Sequence, residues 1–223
     1  MSNLRPVSHP GQSEGLVHFT GRARESFAPE VALMSPEERL DNIVWEQALR
    51  GHPVPGSDEP VVCLSESNKL GAAALLSAAG FSGWGLVLRR QWVWDRGGGP
   101  VWYVRNDLWS DVRKTLDPAL HGWLVRTDPS TSDWLHEREW RVPCTNGELE
   151  LAPEAVMAFL VSDDRWEPPT QSGHVLDPMT GNLVVGEVTL EWALGIPVWR
   201  WNGQDLVELG PVRRREEAWP VQP

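Results

Sequence analysis

The sequence predicts an α+β fold: a single domain with mixed or antiparallel sheets at its centre and helices at its flanks. Strand-like and helix-like runs are interspersed along the 223 residues without a regular β-α-β rhythm, which favours α+β over a doubly wound parallel sheet. The chain also shows no internal repeat and no long linker. We therefore expect one core, which a chain of this length can bury.

The composition of the two ends sets the predicted limits of that domain. Residues 1–14 are rich in Pro, Ser, Gly and His, and we expect them to be disordered. Residues 211–223 contain the dense basic run "PVRRREEAW", whose glutamates weaken it, so we expect a flexible, solvated tail. The globular domain is therefore predicted to cover residues 15–210.

The first predicted strand and helix have clear boundaries. The run "GLVHFTG" (Gly15–Gly21) is short, apolar and bounded by glycines, which is typical of a strand. Ser35, Pro36 and Glu38 form the pattern of a capping box with proline at the first helical position, so we expect a helix to begin there. Apolar residues continue it with helical spacing, and we expect Gly51 to end it.

The remaining elements alternate between strand and helix. After the turn-rich loop "HPVPGSDEP" we predict a strand at Val61–Ser67 and a helix, rich in Ala and Leu, at Asn68–Gly80. The stretch "NDLWSDVRKTLDPALHGWLV" (Asn106–Val125) is predicted to be helical. The C-terminal part alternates like strands around "WNGQ", which predicts a hairpin turn. Further strands are predicted at Gly85–Trp94, Pro100–Arg105, Glu137–Pro143 and Ala155–Ser162.

The stretch "HEREWRV" is the most highly charged of the predicted strands. Because alternate side chains of a strand share a face, Glu137, Glu139 and Arg141 are predicted to point one way, while Trp140 and Val142 point into the core. Two carboxylates then lie about 7 Å apart on one face. This face is either a solvated ladder of ion pairs, each contributing about 0–1 kcal/mol, or the floor of an active site.

Two other predicted strands carry polar residues at their ends. His18 and Thr20 share a face of the first strand, and Cys63 and Ser65 share a face of the strand that begins at Val61. Three strands that deliver His, Ser and Glu would form a cleft suited to a polar ligand. The alternative interpretation of His18 is an ordinary structural histidine.

Composition limits the cellular setting and the partners. The formal net charge of −11 disfavours non-specific binding to nucleic acid. No run of about 18 apolar residues occurs, and the N-terminus lacks the apolar core of a signal peptide, so we expect no membrane partner. Cys63 and Cys144 are too few for a disulfide framework or a four-ligand zinc site. We expect a cytoplasmic protein with reduced thiols.

Several short stretches, taken in their order along the chain, resemble the abortive-infection AbiGi family of phage-resistance proteins. They are "HFT", "LDNIVWEQALRG", "VVCLSE", "GWGLVLRR", "GGGPVWYV" and "WLHEREWRVP". The resemblance covers roughly Leu16 to Pro143, and "CLSE", "PVWYV" and "EREWR" are its most specific pieces. It implies a role in a phage-defence or toxin–antitoxin system, with a cognate toxin or antitoxin as partner.

The same order is similar, more distantly, to the ADP-ribosyltransferase superfamily, including DarT-like enzymes. Those enzymes carry a His or Arg on a first strand, a Ser or Tyr on a second and a Glu on a third. Residue by residue, the resemblance implies His18, Ser65 and Glu139 for these positions, with Glu137 as the upstream member of an E-x-E pair. Thr20 resembles the residue that follows "HF" in DarT-like enzymes.

Two departures from the family pattern concern the second position. "LSES" is not the usual "STS", and no tyrosine stands there to stack on nicotinamide. Trp84, Trp102 or Trp140 would have to replace that tyrosine, and the sequence does not choose among them.

The resemblance implies an ADP-ribosyltransferase-like fold, with NAD as the substrate of ADP-ribosyl transfer or of NAD cleavage. Glu139 would hold the ribose 2′-hydroxyl and stabilise the positive charge that develops on the ribose. Glu137 would orient or deprotonate the acceptor, which is a protein, a nucleotide or water. His18 would donate hydrogen bonds to the ribose or the amide, Ser65 would form hydrogen bonds in the cleft, and Thr20 would also belong to the NAD-binding residues. Arg22 or Arg141 would pair with the pyrophosphate.

Two other functions fit the same residues. A non-catalytic, defence-linked binding or antitoxin module would use "EREWR" as a structural ion-pair strand and the 14 tryptophans as core or partner surface. A glycan hydrolase would use Glu137 and Glu139 as a carboxylate pair about 5–9 Å apart, with tryptophans as sugar platforms. Metal-dependent hydrolysis has little support, because no H-x-x-x-H or C-x-x-C spacing occurs.

Overall fold

A nine-stranded mixed sheet lies at the centre of the molecule, and helices flank it, which confirms the predicted α+β class. The computed structural model describes residues 13–21, 29–78, 81–131, 135–176, 183–214 and 216–218, which form a single compact domain. Ser13 and Glu14, the described part of the N-terminal segment predicted to be disordered, lead directly into the first strand. Residues 216–218, in the segment predicted as a tail, form a short strand.

The strands in chain order are β1 (Gly15–Phe19), β2 (Ala48–Arg50), β3 (His52–Val54), β4 (Ser57–Glu66), β5 (Gly85–Arg89), β6 (Gly99–Pro100), β7 (Trp102–Arg105), β8 (Leu124–Thr127), β9 (Glu139–Pro143), β10 (Glu148–Glu150), β11 (Val156–Val161), β12 (Thr170–Leu176), β13 (Leu183–Thr189), β14 (Pro197–Trp201), β15 (Leu206–Pro211) and β16 (Glu216–Ala218). The α-helices are α1 (Pro29–Leu33), α2 (Pro36–Glu46), α3 (Lys69–Ala78), α4 (Arg90–Asp95) and α5 (Trp109–Thr115). Short 3₁₀ helices occupy Pro118–Trp123, Leu135–Glu137, Pro153–Ala155 and Glu191–Ala193. Among the described residues, no helix has the length and apolar character needed to cross a membrane.

The order of strands in the central sheet is β15-β14-β11-β5-β1-β4-β9-β6, and β3 pairs with β4. The β11–β14 pair is parallel and the other pairs of this sheet are antiparallel. Smaller sheets join β2 to β10, β7 to β8, and β12 to β13 and β16. The strands β1, β4 and β9 are therefore neighbours, which places the three polar strand segments side by side.

The central sheet buries apolar side chains on both faces, because successive residues of a strand point to opposite sides. One face packs against α2, and its buried cluster includes Leu16, Leu64, Leu86 and Phe159 from the sheet and Leu40 and Val44 from the helix. The other face packs against α3, through Val17, Val87 and Leu160 from the sheet and Ala72 and Leu76 from the helix. Trp140 and Val142 belong to the first cluster, which confirms their predicted inward orientation.

Helix α2 begins as predicted and ends earlier. The Ser35 side chain accepts from the Glu38 backbone N–H, and the Glu38 carboxylate accepts from the Ser35 backbone N–H, which completes the capping box. The helix ends at Glu46, and the next residue, Gln47, adopts the left-handed conformation with φ 54°. Gly51, the predicted end, follows strand β2 instead. A Cβ atom there would lie 2.9 Å from the Cys144 Cβ atom, so close packing explains this glycine.

Three further predicted boundaries are wrong. The segment predicted as the loop "HPVPGSDEP" forms β3 and the start of β4, which pair as a hairpin. The predicted strand Gly85–Trp94 ends at Arg89, where α4 begins and buries Trp92 and Val93. The predicted strand Glu137–Pro143 begins only at Glu139, because Glu137 belongs to a 3₁₀ helix.

Candidate functional site

Three predicted site residues lie on neighbouring strands, His18 on β1, Ser65 on β4 and Glu139 on β9. Ser65 has Val17 as its register partner on one side and Glu139 on the other. One cavity of about 100 Å³ is lined by His18, Ser65, Glu137 and Glu139. The structure therefore brings together these four side chains, which the sequence places up to 121 positions apart, as the difference between 139 and 18 shows.

The cavity opens where two strands separate. β1 pairs with β4 only at Leu16 and Val17, and β3 joins the same edge of β4 farther along, where His52 is opposite Val61. His18 lies in the gap between β1 and β3, and its Nδ1 atom is 3.0 Å from the Cys63 carbonyl oxygen. The His18 ring thus connects β1 to β4 just beyond the last backbone pair between these two strands.

The His18 ring is held in its neutral form. Burial lowers the pKa of His18; the hydrogen bond to the Cys63 carbonyl opposes this, and the charge of His52 adds to it. A carbonyl oxygen only accepts hydrogen bonds, so Nδ1 carries the proton and Nε2 is the acceptor of the neutral ring. His18 therefore offers a ligand an acceptor, whereas the resemblance led us to expect a donor.

Glu139 is fixed by a buried ion pair. Arg141 Nε donates to Glu139 Oε1 at 2.9 Å, and the two side chains are 7% and 12% exposed respectively. Arg141 Nη1 also donates to the carbonyl oxygens of Gly122 and Leu124. The prediction that Arg141 binds pyrophosphate is therefore wrong, since its guanidinium is buried and committed to protein acceptors. Its role is to orient the Glu139 carboxylate.

Tyr103 holds the backbone at the same point. Its phenol oxygen accepts a hydrogen bond from the Glu139 backbone N–H at 2.9 Å. Burial raises the pKa of Tyr103, and the negative charges of Glu139 and Glu137 add to this rise, while the Glu139 N–H and Arg141 oppose it. The phenol therefore stays protonated at neutral pH. Glu139 is held by Arg141 through its side chain and by Tyr103 through its backbone.

Glu137 reaches the cavity by a route that strand alternation did not predict. It is the last residue of the 3₁₀ helix Leu135–Glu137, and it is buried. Arg138, between the two glutamates, has φ 45°, a conformation that a residue with a side chain rarely adopts. Both glutamates line the cavity because the chain turns at Arg138 before β9 begins.

The other predicted binding residues have different positions. Ser65 is buried in the cavity wall. Thr20 donates its hydroxyl to the Pro36 carbonyl at 2.7 Å and lines a second cavity, apart from Ser65. Arg22 lies outside the residues that the structure describes.

A second cavity of about 100 Å³ lies between β1 and helix α2. Asn42 and Met34 contribute to its lining, and Arg39 closes it by donating to the backbone oxygens of Thr20, Val31 and Met34. The two cavities share His18, Phe19, Arg50 and His52 in their walls. They are therefore adjacent parts of one cleft that the His18 side chain divides.

The cleft has aromatic and basic residues that the sequence analysis missed. Phe19 and Phe81 line the first cavity with their ring centroids 4.6 Å apart. His52 lies opposite Val61, and Glu139 lies opposite Ser65, so the strand rise separates them by about 13 Å along β4. The first cavity is thus acidic at the Glu139 end and basic near Arg50 and His52. Phe19 could have been identified as the middle residue of "HFT". No sequence pattern indicates that Phe81, Arg50 or His52 belongs to the cleft.

The tryptophans proposed to replace the missing tyrosine lie elsewhere. Trp84 and Trp140 belong to the buried core, and the Trp140 indole donates to Glu66 at 3.2 Å. Trp102 is 46% exposed on β7. Within the described part of the chain, the residues that line the two cavities include no tryptophan, so the predicted sugar platforms are not present there.

The described residues contain no cluster of three or more His, Cys, Asp or Glu side chains placed to hold a metal ion. Cys63 and Cys144 are both reduced cysteines, and Cys63 lines the first cavity. Comparison of the chain with protein-family models, with curated proteins and with solved structures gave no match.

Proposed function

We propose that this protein binds NAD, breaks the bond between nicotinamide and ribose, and passes the ADP-ribosyl group to an acceptor or to water. One observation carries the proposal: His18, Ser65 and Glu139 lie on three neighbouring strands and line one cavity. This is the arrangement that the resemblance to ADP-ribosyltransferases implies. Glu139 is the proposed catalytic residue, and Glu137 its partner in the same wall.

The charges of the cavity suit the chemistry of that bond. As the bond breaks, its electron pair leaves with the nicotinamide nitrogen, and positive charge develops on the ribose. A buried carboxylate stabilises this charge, by about 4 kcal/mol for unit charges 4 Å apart at an effective dielectric constant of 20. Arg141 holds Glu139 Oε1, so the second oxygen, Oε2, is the one assigned to the ribose 2′-hydroxyl.

The remaining residues complete the reaction. The acceptor O–H or N–H attacks the anomeric carbon, the new bond forms to that carbon, and Glu137 takes the proton that the acceptor loses. Neutral nicotinamide leaves with the electron pair. His18 Nε2 accepts a hydrogen bond from a ribose hydroxyl or from the nicotinamide amide, and the Phe19 and Phe81 rings pack against nicotinamide.

A dinucleotide needs both parts of the cleft. Each cavity has a volume of about 100 Å³, so the two together remain smaller than the pockets of about 300–1,000 Å³ that hold drug-sized ligands, and part of the dinucleotide would extend out of the cleft. We place nicotinamide and its ribose in the first cavity and the adenosine toward the second. Arg50 and His52, which belong to both walls, then lie beside the pyrophosphate in the role first expected of Arg22 or Arg141, and Arg50 shares its guanidinium with Glu46.

We further propose that the protein acts in a phage-defence or toxin–antitoxin system, with a protein, a nucleotide or water as acceptor and a cognate toxin or antitoxin as partner. This rests on the resemblance to the AbiGi family. The net charge of −11 makes bulk nucleic acid an unfavourable acceptor. The two reduced cysteines support a location in the reducing cytoplasm.

The Glu139–Arg141 pair also supports a second candidate function, a non-catalytic binding or antitoxin module. In that function the ion pair stabilises the start of β9. The cavities are then only gaps in the packing where β1 and β3 pair with different parts of β4. The two functions differ in whether the purified protein binds and consumes NAD.

Calorimetric titration with NAD and measurement of nicotinamide release distinguish the two functions. We expect heat of binding and release with the natural chain. Glu139→Gln should lower the rate of release by about 10²–10³-fold while NAD still binds. Glu150→Gln, an exposed glutamate on β10, is the matched control and should change neither. Absence of both heat and release in the natural chain would support the non-catalytic module. Full release by Glu139→Gln would show that Glu139 is not catalytic.

A further inference from the structure

A buried carboxylate anchors the segment that carries the two cavity glutamates. Glu66 is the last residue of β4, and its side chain is 10% exposed. Its Oε1 atom accepts from Ser13 N at 3.3 Å and from Arg90 Nη1 at 3.2 Å, and its Oε2 atom accepts from Trp140 Nε1 at 3.2 Å and lies 3.1 Å from Arg138 Nη2. A carboxylate with this many donors is held in one orientation.

Arg138 connects Glu66 to the two glutamates. Its side chain pairs with the Glu66 carboxylate, and its carbonyl oxygen accepts from the Glu66 backbone N–H at 3.1 Å. Its backbone φ of 45° is the turn between the 3₁₀ helix and β9. An uncommon backbone conformation persists where the surrounding contacts enforce it, and two of the contacts at Arg138 come from Glu66.

The anchor and the glutamates lie on opposite sides of the sheet. Glu66 is the register partner of Leu16, which packs in the core against α2. Ser65, the preceding residue, lines the cavity with Glu137 and Glu139. Neighbouring residues of a strand point to opposite faces of the sheet. Arg138 therefore contacts Glu66 on one face, while Glu137 and Glu139, on either side of Arg138, line the cavity on the other face.

We propose that Glu66 and Arg138 form a positioning device that holds Glu137 and Glu139 in the cavity. Neither residue touches the reacting atoms; both act through the backbone between the two glutamates. The effect on position stands without any activity, whereas the effect on turnover rests on the proposed function.

A matched pair of variants tests the device. Arg138→Gln and Arg90→Gln remove guanidinium groups from the same Glu66 carboxylate, but only Arg138 lies on the segment of the two glutamates. The first readout is hydrogen exchange of the Glu139 amide, which donates to Tyr103. We expect exchange about threefold to tenfold faster in Arg138→Gln than in Arg90→Gln, the range that loss of one hydrogen bond gives.

The second readout is turnover of NAD. We expect Arg138→Gln to lower kcat by about 10- to 100-fold with little change in KM, as small misplacement of a catalytic group does. Arg138→Lys should recover part of the loss, while Arg90→Gln should keep the natural kcat. Arg138→Gly, which adopts a positive φ readily, replaces Arg138→Gln if that variant does not fold.

The outcomes separate this proposal from the proposed function. Equal exchange rates in the Arg138 and Arg90 variants would overturn the positioning device, whatever the activity. An unchanged kcat in Arg138→Gln of an active enzyme would overturn it as well. Faster exchange in Arg138→Gln, together with a natural chain that consumes no NAD, would support the device and reject the proposed function.

Discussion

Arg141 Nε and Glu139 Oε1 are 2.9 Å apart, and both side chains are almost completely enclosed. The same guanidinium donates to the carbonyl oxygens of Gly122 and Leu124. One side chain therefore links the end of the 3₁₀ helix Pro118–Trp123 and the start of β8 to the proposed catalytic glutamate. This relationship is the basis of the first prediction.

Removing Arg141 alone should destabilise the fold. Arg141→Met leaves the buried Glu139 carboxylate without its cation, so we expect the free energy of unfolding to fall by about 3–5 kcal/mol. Urea unfolding followed by tryptophan fluorescence measures this change. The double variant Glu139→Gln, Arg141→Met should lose less stability than the sum of the two single variants, because no charge is then left unpaired. Additive losses would show that the two side chains do not interact energetically.

His18 should make stability depend on pH near neutrality. Burial, its largest cause, lowers the pKa of His18 below its ordinary value of 6.5, so the unfolded chain binds a proton there at higher pH than the folded chain. The contribution of His18 to the free energy of unfolding is then fully present above about pH 6.5. It is lost as the pH falls below that value, by at most about 1.4 kcal/mol per pH unit. Urea unfolding between about pH 7.5 and 5.5 measures the slope.

Two histidine variants check that assignment. His18→Gln should flatten the dependence on pH over that range. His136→Gln, at an exposed position before the charged strand, should leave it as in the natural chain. A natural slope in His18→Gln would assign the titration to another group.

The aromatic wall of the first cavity should contribute to NAD binding. Phe19→Leu removes the ring that packs against Phe81, and we expect the KM for NAD to rise about tenfold, a loss within the range for stacking of a base on an aromatic side chain. Trp102→Leu, at one of the positions first considered for this role, should leave the KM unchanged because Trp102 is exposed on β7. A larger effect of Trp102→Leu would move the ligand out of this cavity.

The corrected end of helix α2 leads to a stabilising substitution. Gln47 adopts φ 54°, so Gln47→Gly should relieve backbone strain and raise the free energy of unfolding by about 0.5–1 kcal/mol after the entropy of the unfolded glycine is subtracted. Glu46→Gly, one position earlier and inside the helix, should lower it by about 1 kcal/mol. Thermal melts of the two variants provide the comparison. A loss of stability in both would mean that the helix continues through Gln47.

The predictions that succeeded depend on contacts between residues close in the chain. The capping box of α2 needs only Ser35 and Glu38, and the inward direction of Trp140 follows from strand alternation. The predictions that failed depend on distant residues. The sequence analysis assigned Arg141 to a ligand. Its acceptor is the carbonyl oxygen of Gly122, 19 residues earlier in the chain, and nothing in "EREWR" indicates that contact.

The sequence by itself determined the α+β class, the start of α2 and the polar residues at the ends of three strands. Only the tertiary structure decided that those strands are neighbours, that Phe81 and His52 share their cavity, and that Arg138 turns between the two glutamates to meet Glu66. Periodicity and capping involve free energies of residues a few positions apart, so they are visible in the sequence. Strand order, the fork between β1 and β4 and the burial of a carboxylate depend on the packing of the whole chain, which local pattern does not encode.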